Sequence, residues 1–123
     1  MAKTILIVDD EPQAVGVFQT ALTSSGYAAF VANSGKHALE TLKKEKIDAV
    51  LLDEMMPDMS GNDLIKQIKQ DQLLQNIPII MLTNFGNEEL VKEAISIGAR
   101  DYILKYQITP TDLATKIKNL IGE

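Results

Sequence analysis

Five short apolar runs recur along the chain, each closed by a polar residue and followed by an amphipathic segment. No other feature limits the fold as much. Thr4–Val8 is the first run, Ala28–Ala32 a weaker second, Ala49–Leu52 the third, Pro78–Leu82 the fourth and Tyr102–Leu104 the fifth. All are too short for helices, and β-branched residues mark the first as a strand. The first, third and fourth do not alternate with polar residues, the pattern of strands covered on both faces in a parallel sheet. The segments between them carry helical spacing. Val15, Phe18 and Leu22 share a face, with Pro12 suited to a first turn and Gly26 to a left-handed stop. Ala38, Leu39 and Leu42 follow an Asn33/Ser34 cap, and Leu64, Ile65 and Ile68 follow Ser60-Gly61. Leu90, Val91, Ala94 and Ile95 run to Gly98, and Thr109-Pro110-Thr111-Asp112 has the form of a capped start for Leu113, Ile117, Leu120 and Ile121. Five strands alternating with five helices predict right-handed crossovers and a doubly wound α/β domain with a five-stranded parallel sheet.

Composition narrows the chemistry. With no cysteine among 123 residues, disulfides, thiolate metal sites and cysteine nucleophiles are excluded. Twelve basic residues against seventeen acidic ones offer no basic patch of the kind that grips nucleic acid, so no direct nucleic-acid partner is expected. The longest stretch without a polar side chain, Ile77 to Leu82, holds six residues including Pro78, whereas a membrane span needs about 20. No signal-peptide pattern opens the sequence, and a cytoplasmic protein without a membrane partner is the expectation.

In open α/β sheets ligands bind outside the carboxyl ends of the strands. The residues that close the runs are Asp9 and Asp10 after the first, Asp53 after the third, Thr83 after the fourth and Lys105 after the fifth. Packing does not call for Asp or Lys at such places. If the first and third strands are neighbours, as in the order 2-1-3-4-5, Asp9, Asp10 and Asp53 face one another. Two carboxylates 4 Å apart repel by roughly 4 kcal/mol at an effective dielectric of 20. A divalent cation relieves that repulsion, and an all-oxygen site favours Mg²⁺, Mn²⁺ or Ca²⁺. Mg²⁺ commonly shares its shell with phosphate oxygens, for which a lysine and a hydroxyl are fitting partners.

This set of residues resembles the receiver domain of bacterial response regulators, including the single-domain chemotaxis type. The local contexts agree: Ile5-Leu-Ile-Val-Asp9-Asp10-Glu11-Pro12, Leu51-Leu-Asp53-Glu-Met55-Met-Pro-Asp-Met-Ser-Gly61 and Gly98-Ala-Arg-Asp-Tyr102-Ile-Leu-Lys105. The resemblance covers residues 1–123 as one receiver domain and implies a flavodoxin-like fold. It further implies autocatalytic phosphoryl transfer to Asp53 from a sensor histidine kinase or histidine phosphotransfer protein. By the same resemblance Asp10, Asp53 and the Met55 backbone carbonyl ligate Mg²⁺, Asp9 holds it through water, and Thr83 and Lys105 clasp the phosphoryl oxygens. Thr83 and Tyr102 then match the family's switch pair, and the fourth helix, fifth strand and fifth helix form the surface offered to a downstream effector protein. The acyl phosphate hydrolyses, so the chain is expected to be a self-dephosphorylating phosphoacceptor rather than a turnover enzyme.

Several positions depart from the family pattern. Tyr106 stands where proline commonly follows the lysine, and a cis bond there would cost about 3 kcal/mol, so a trans peptide is expected. Asn84 follows Thr83 where a smaller residue is usual. Met55 and Phe85 occupy two rim positions flanking Asp53 and can exclude an attacking water, which predicts a long-lived phosphorylated form. Each chosen residue also has a plainer reading: Asp9 and Asp10 as helix caps, Asp53 as a solvated loop acid, Thr83 as a cap, Tyr102 as a core aromatic and Lys105 as a surface lysine. His37 reads as an exposed helix residue. Two rival functions are a degenerate receiver that binds partners without phosphorylation and an aspartate-nucleophile phosphohydrolase. In the latter a second Asp would stand two residues after the nucleophile on the first strand, and position 11 is Glu. A flavin carrier conflicts with Asp-Asp-Glu in the first loop, and no glycine-rich dinucleotide turn or Walker motif is present. The last helix ends at the final residues, so the expectation is a free-standing regulator or one receiver cut from a longer protein.

Overall fold

A computed structural model describes residues 2–84, 88–105 and 107–122. Strands β1 (Thr4–Val8), β2 (Ala28–Ala32), β3 (Ala49–Asp53), β4 (Ile79–Thr83) and β5 (Asp101–Leu104) alternate with helices α1 (Pro12–Ser24), α2 (Gly35–Lys44), α3 (Gly61–Gln70), α4 (Glu88–Ile97) and α5 (Pro110–Ile121). The sheet is parallel with order β2-β1-β3-β4-β5, as the doubly wound flavodoxin-like reading requires. Among the described residues no helix is long and apolar enough to cross a membrane.

The unbroken apolar runs are explained by where alternate side chains go. Leu6 and Val8 of β1, Val50 and Leu52 of β3, and Ile79 and Met81 of β4 join one buried cluster with Ala38, Leu42, Leu64, Ile65, Ile68 and Ala94, from α2, α3 and α4. Ile5, Ile7, Ala49, Leu51, Ile80, Leu82 and Ile103 join the other with Phe18 and Leu22 of α1 and Leu113 and Ile117 of α5. With both sheet faces covered, period-2 alternation gives apolar side chains at every position. The second run is weaker because β2 is an edge strand, with Ala28 and Phe30 exposed.

Capping follows the local chemistry. Ser34, Ser60 and Thr109 accept hydrogen bonds at 3.1 Å from the backbone N–H groups of His37, Asp63 and Asp112, and so start α2, α3 and α5. Such caps satisfy helical N–H groups that have no intrahelical partner. Pro12 stands in the first turn of α1. Gly26 and Gly98 take φ of 93° and 128° just past α1 and α4, a region that favours glycine. Two strands run one residue further than their apolar stretches suggest: Asp53 and Thr83 are the last residues of β3 and β4, paired with Leu82 and Leu104.

Candidate functional site

The body of the sheet holds no buried charge among the described residues; its carboxyl edge does. Asp9, Asp53, Glu54, Thr83 and Lys105 are all buried there. Because Val8 of β1 pairs with Leu52 of β3, the residues that follow, Asp9 and Asp53, come out side by side. Asp10 is exposed, and carboxylate oxygens of Asp9, Asp10 and Asp53 all lie within 4.8 Å of one another. Glu11 is the N-cap of α1, without a side-chain cap bond. Its own N–H donates to Asp9 Oδ1 at 3.0 Å, the same oxygen that faces Lys105.

Lys105 follows β5, its N–H bonded to the Thr83 carbonyl at 2.9 Å. Its side chain is buried, and Nζ donates to Asp9 Oδ1 and Asp53 Oδ2, each at 3.1 Å, and to Glu11 Oε1. Burial works against the ammonium charge, but bonds to Glu11, Asp53 and Asp9 outweigh it, and the lysine pKa is raised. Asp53 moves for a different reason. Burial first and the Asp9 charge second raise it from 3.8 to about 6, although Lys105 and the Met55 N–H pull the other way.

One ammonium thus serves three carboxylates, Asp9, Glu11 and Asp53, with Asp10 crowded against two of them. Asp9 Oδ2 is buried without a hydrogen-bond partner among the described residues, a costly state for an ionised oxygen. This orphaned oxygen, the two other carboxylates within reach and the absence of His or Cys from the cluster among the described residues fit a hard divalent cation such as Mg²⁺.

The loop after β3 returns sharply to α3. Gly61 N–H donates to the Glu54 carbonyl at 2.8 Å, and Met55 bridges to Ser60. A Cβ at Gly61 would collide with the Asp53 carbonyl oxygen, so glycine lets α3 begin against the end of β3. Met55 stands at the rim, 60% exposed, its N–H 3.5 Å from Asp53 Oδ1. Thr83 is buried, and its hydroxyl is within bonding distance of Glu54 Oε2 at 3.0 Å and of the Asn84 carbonyl at 3.1 Å. Tyr102 is paired in register with Met81, which puts it on the same sheet face as Thr83. Its side chain is 43% exposed, and it borders a cleft with Ile108, Asp112 and Lys116.

Three of the four strand ends read from the sequence, those carrying Asp9 and Asp10, Asp53 and Lys105, therefore bring their side chains together, with Asp10 and Met55 at the surface; Thr83 lies at the same edge with its hydroxyl on Glu54. Glu11 and Glu54, not chosen from the sequence, belong to it as well. Phe85 and Tyr106, with the expected trans peptide before Tyr106, lie outside the described residues. His37 is exposed in the first turn of α2.

A doubly wound sheet with clustered acids and a buried lysine at its carboxyl edge defines a class, and similarity to known proteins agrees with it. The chain belongs to the response regulator receiver domain family, whose model matches residues 5–118. It is 38% identical over 121 residues to the phosphate regulon transcriptional regulatory protein PhoB of Pseudomonas aeruginosa, covering 98% of this chain and 52% of PhoB. It is also 38% identical over 117 residues to the response regulator SaeR of Staphylococcus aureus, covering 95% of this chain and 50% of SaeR. The chain spans about half the length of these curated relatives. A Chloroflexus aurantiacus protein assigned as a response regulator superposes with a TM-score of 0.94 at 31% identity, each chain covered in full.

Proposed function

We propose that this receiver is a phosphorylation-dependent switch. Asp53 accepts a phosphoryl group from the phosphohistidine of a sensor histidine kinase or a histidine phosphotransfer protein. The observation that carries this is the convergence of Asp9, Asp10 and Asp53 within 4.8 Å, with Lys105 Nζ 3.1 Å from two of them. Phosphoryl transfer asks mainly for positioning and charge neutralisation. An Asp53 carboxylate oxygen forms the new P–O bond as the donor P–N bond breaks, and the electron pair returns to the imidazole nitrogen. Lys105, already charged and already on Asp53, pairs with the phosphoryl oxygens, and Thr83 offers them its hydroxyl. Asp9, Asp10, Asp53 and the Met55 backbone carbonyl would hold Mg²⁺, which supplies positive charge to the acids and the phosphoryl oxygens alike.

The acyl phosphate is hydrolysable, so the mark is temporary and the chain acts as a self-dephosphorylating phosphoacceptor. Thr83 and Tyr102, on one sheet face, carry the change to the surface of α4, β5 and α5, where a downstream effector protein reads it. This reading invokes no direct nucleic-acid or membrane partner for the domain spanning 1–123, and a cytoplasmic setting is where such donors act.

Incubation with Mg²⁺ and acetyl phosphate, followed by intact-mass measurement, tests it. The expected result is a gain of one phosphoryl group that disappears in Asp53→Asn. Catalytic turnover of phosphomonoesters would instead point to the hydrolase reading. Neither gain nor turnover would overturn the switch and leave a phosphorylation-independent binding module.

A further inference from the structure

Glu54 is a buried acid to which the phosphotransfer reading gives no task. It is 2% exposed and Thr83 is 1% exposed. Its Oε2 lies 3.0 Å from the Thr83 hydroxyl, whose other acceptor within reach is the neutral Asn84 carbonyl at 3.1 Å, and its Oε1 accepts the Asn84 N–H at 3.3 Å. Both oxygens are therefore directed at the end of β4. The pleat separates this pair from the acceptor. Asp53 is in phase with Ala49 and Leu51, which pack toward α1 and α5, whereas Thr83 is in phase with Ile79 and Met81, which pack toward the other helices. The hydroxyl is thus held on the opposite side of the sheet from the Asp53 carboxylate.

A hydroxyl has a single proton to donate. While Glu54 accepts it, a phosphoryl oxygen cannot. A hydrogen bond to a carboxylate is stronger than one between neutral groups, and at full burial no water competes for it. We propose that Glu54 is a latch on Thr83, a positioning residue that keeps the hydroxyl in the unphosphorylated arrangement until a phosphoryl group on Asp53 outcompetes it. The latch rests on the phosphoacceptor reading and adds a threshold to it: a group that must first break the Glu54 bond binds with an apparent affinity lowered by the fraction of molecules already released.

Beryllofluoride, a stand-in for a phosphoryl group on a carboxylate, tests this in the full chain with Mg²⁺. Its affinity is measured in four proteins: the unaltered chain, Glu54→Gln, Thr83→Ala and the double variant. Removing a negative charge near an anion site strengthens binding whatever Thr83 does, whereas release of the latch requires the hydroxyl. The expected result is about tenfold tighter binding from Glu54→Gln when Thr83 is present and less than about twofold when it is Ala, a coupling between the two sites. Thr83→Ser, which keeps a hydroxyl, should restore the full Glu54→Gln effect. Equal tightening in both backgrounds, or weaker binding from Glu54→Gln, would overturn the latch.

A measurement on the unaltered protein does not depend on how the Glu54 variant folds. The carboxyl ¹³C resonance of Glu54 should move when beryllofluoride saturates the site, and should stay in place in Thr83→Ala. A resonance that stays in place in both would also refute the latch. Failure of the phosphoacceptor reading looks different: beryllofluoride then fails to bind the unaltered chain, or binds Asp53→Asn equally well, and the latch falls with it.

Discussion

The body of the sheet and its carboxyl edge are built from the same strands and follow opposite rules. In the body, alternate residues of β1, β3 and β4 enter two apolar clusters, and among the described residues no charge is buried between them. At the edge, one residue beyond the last apolar side chains of β1 and β3, carboxylates crowd within 4.8 Å, and Asp9 and Asp53 share one lysine. The body gains free energy from apolar burial, roughly 25 cal/mol per Å². At the edge the terms oppose each other: burial and Asp9 disfavour the Asp53 charge, whereas the surrounding carboxylates favour the Lys105 ammonium. The contrast teaches that apolar stabilisation is concentrated in one layer, so that a crowded cluster of charge can be maintained in the next.

Substitutions at the edge and in the body should therefore separate. The largest effect expected is on chemistry: Asp53→Asn abolishes phosphorylation by acetyl phosphate, read by intact mass, while the far-ultraviolet circular dichroism is unchanged. Lys105→Met should slow phosphorylation by about 10²–10³-fold, the usual consequence of removing one preorganised donor from developing charge. Leu6→Ala, in the body, should cost about 2–5 kcal/mol in denaturant unfolding. Asp53→Ala should do the reverse, raising the melting temperature of the metal-free protein at neutral pH. A destabilising Asp53→Ala would break the comparison.

The pH dependence sharpens it. A carboxyl whose folded pKa is raised contributes stability fully below its unfolded value and loses it as pH rises through the folded value. For Asp53 that window runs from 3.8 to about 6. The metal-free chain should lose melting temperature across this window by more than Asp53→Asn does, and Mg²⁺ should recover the difference at neutral pH. The smallest effect is kinetic. Met55 stands exposed at the rim; on the expectation that it keeps water from a phosphorylated Asp53, Met55→Asn, alone or with Phe85→Glu, should speed loss of the phosphoryl group a few-fold in a ³²P decay assay.

Much of this contrast was legible in the residues. Unbroken apolar runs carried the two-faced parallel sheet, and the polar residues closing them carried the site. Boundaries were less legible because the ladder outlasts the apolar pattern: Asp53 and Thr83 still pair with Leu82 and Leu104. Glu54 was missed because an acid after a strand reads as solvated. The signal was its phase, two residues beyond Leu52, which turns it inward beside Thr83. Glu11 was missed because its partner lies 94 residues away in sequence. The exposure of Tyr102 was not legible, because it is set by the cleft beside α5, which no local pattern encodes.

Calorimetric titration of the metal-free chain with Mg²⁺ at neutral pH probes the crowded edge most directly. One bound ion per chain is predicted, with binding lost in Asp53→Ala and weakened in Asp10→Asn. No uptake by the unaltered chain, or uptake that survives Asp53→Ala unchanged, would contradict the account.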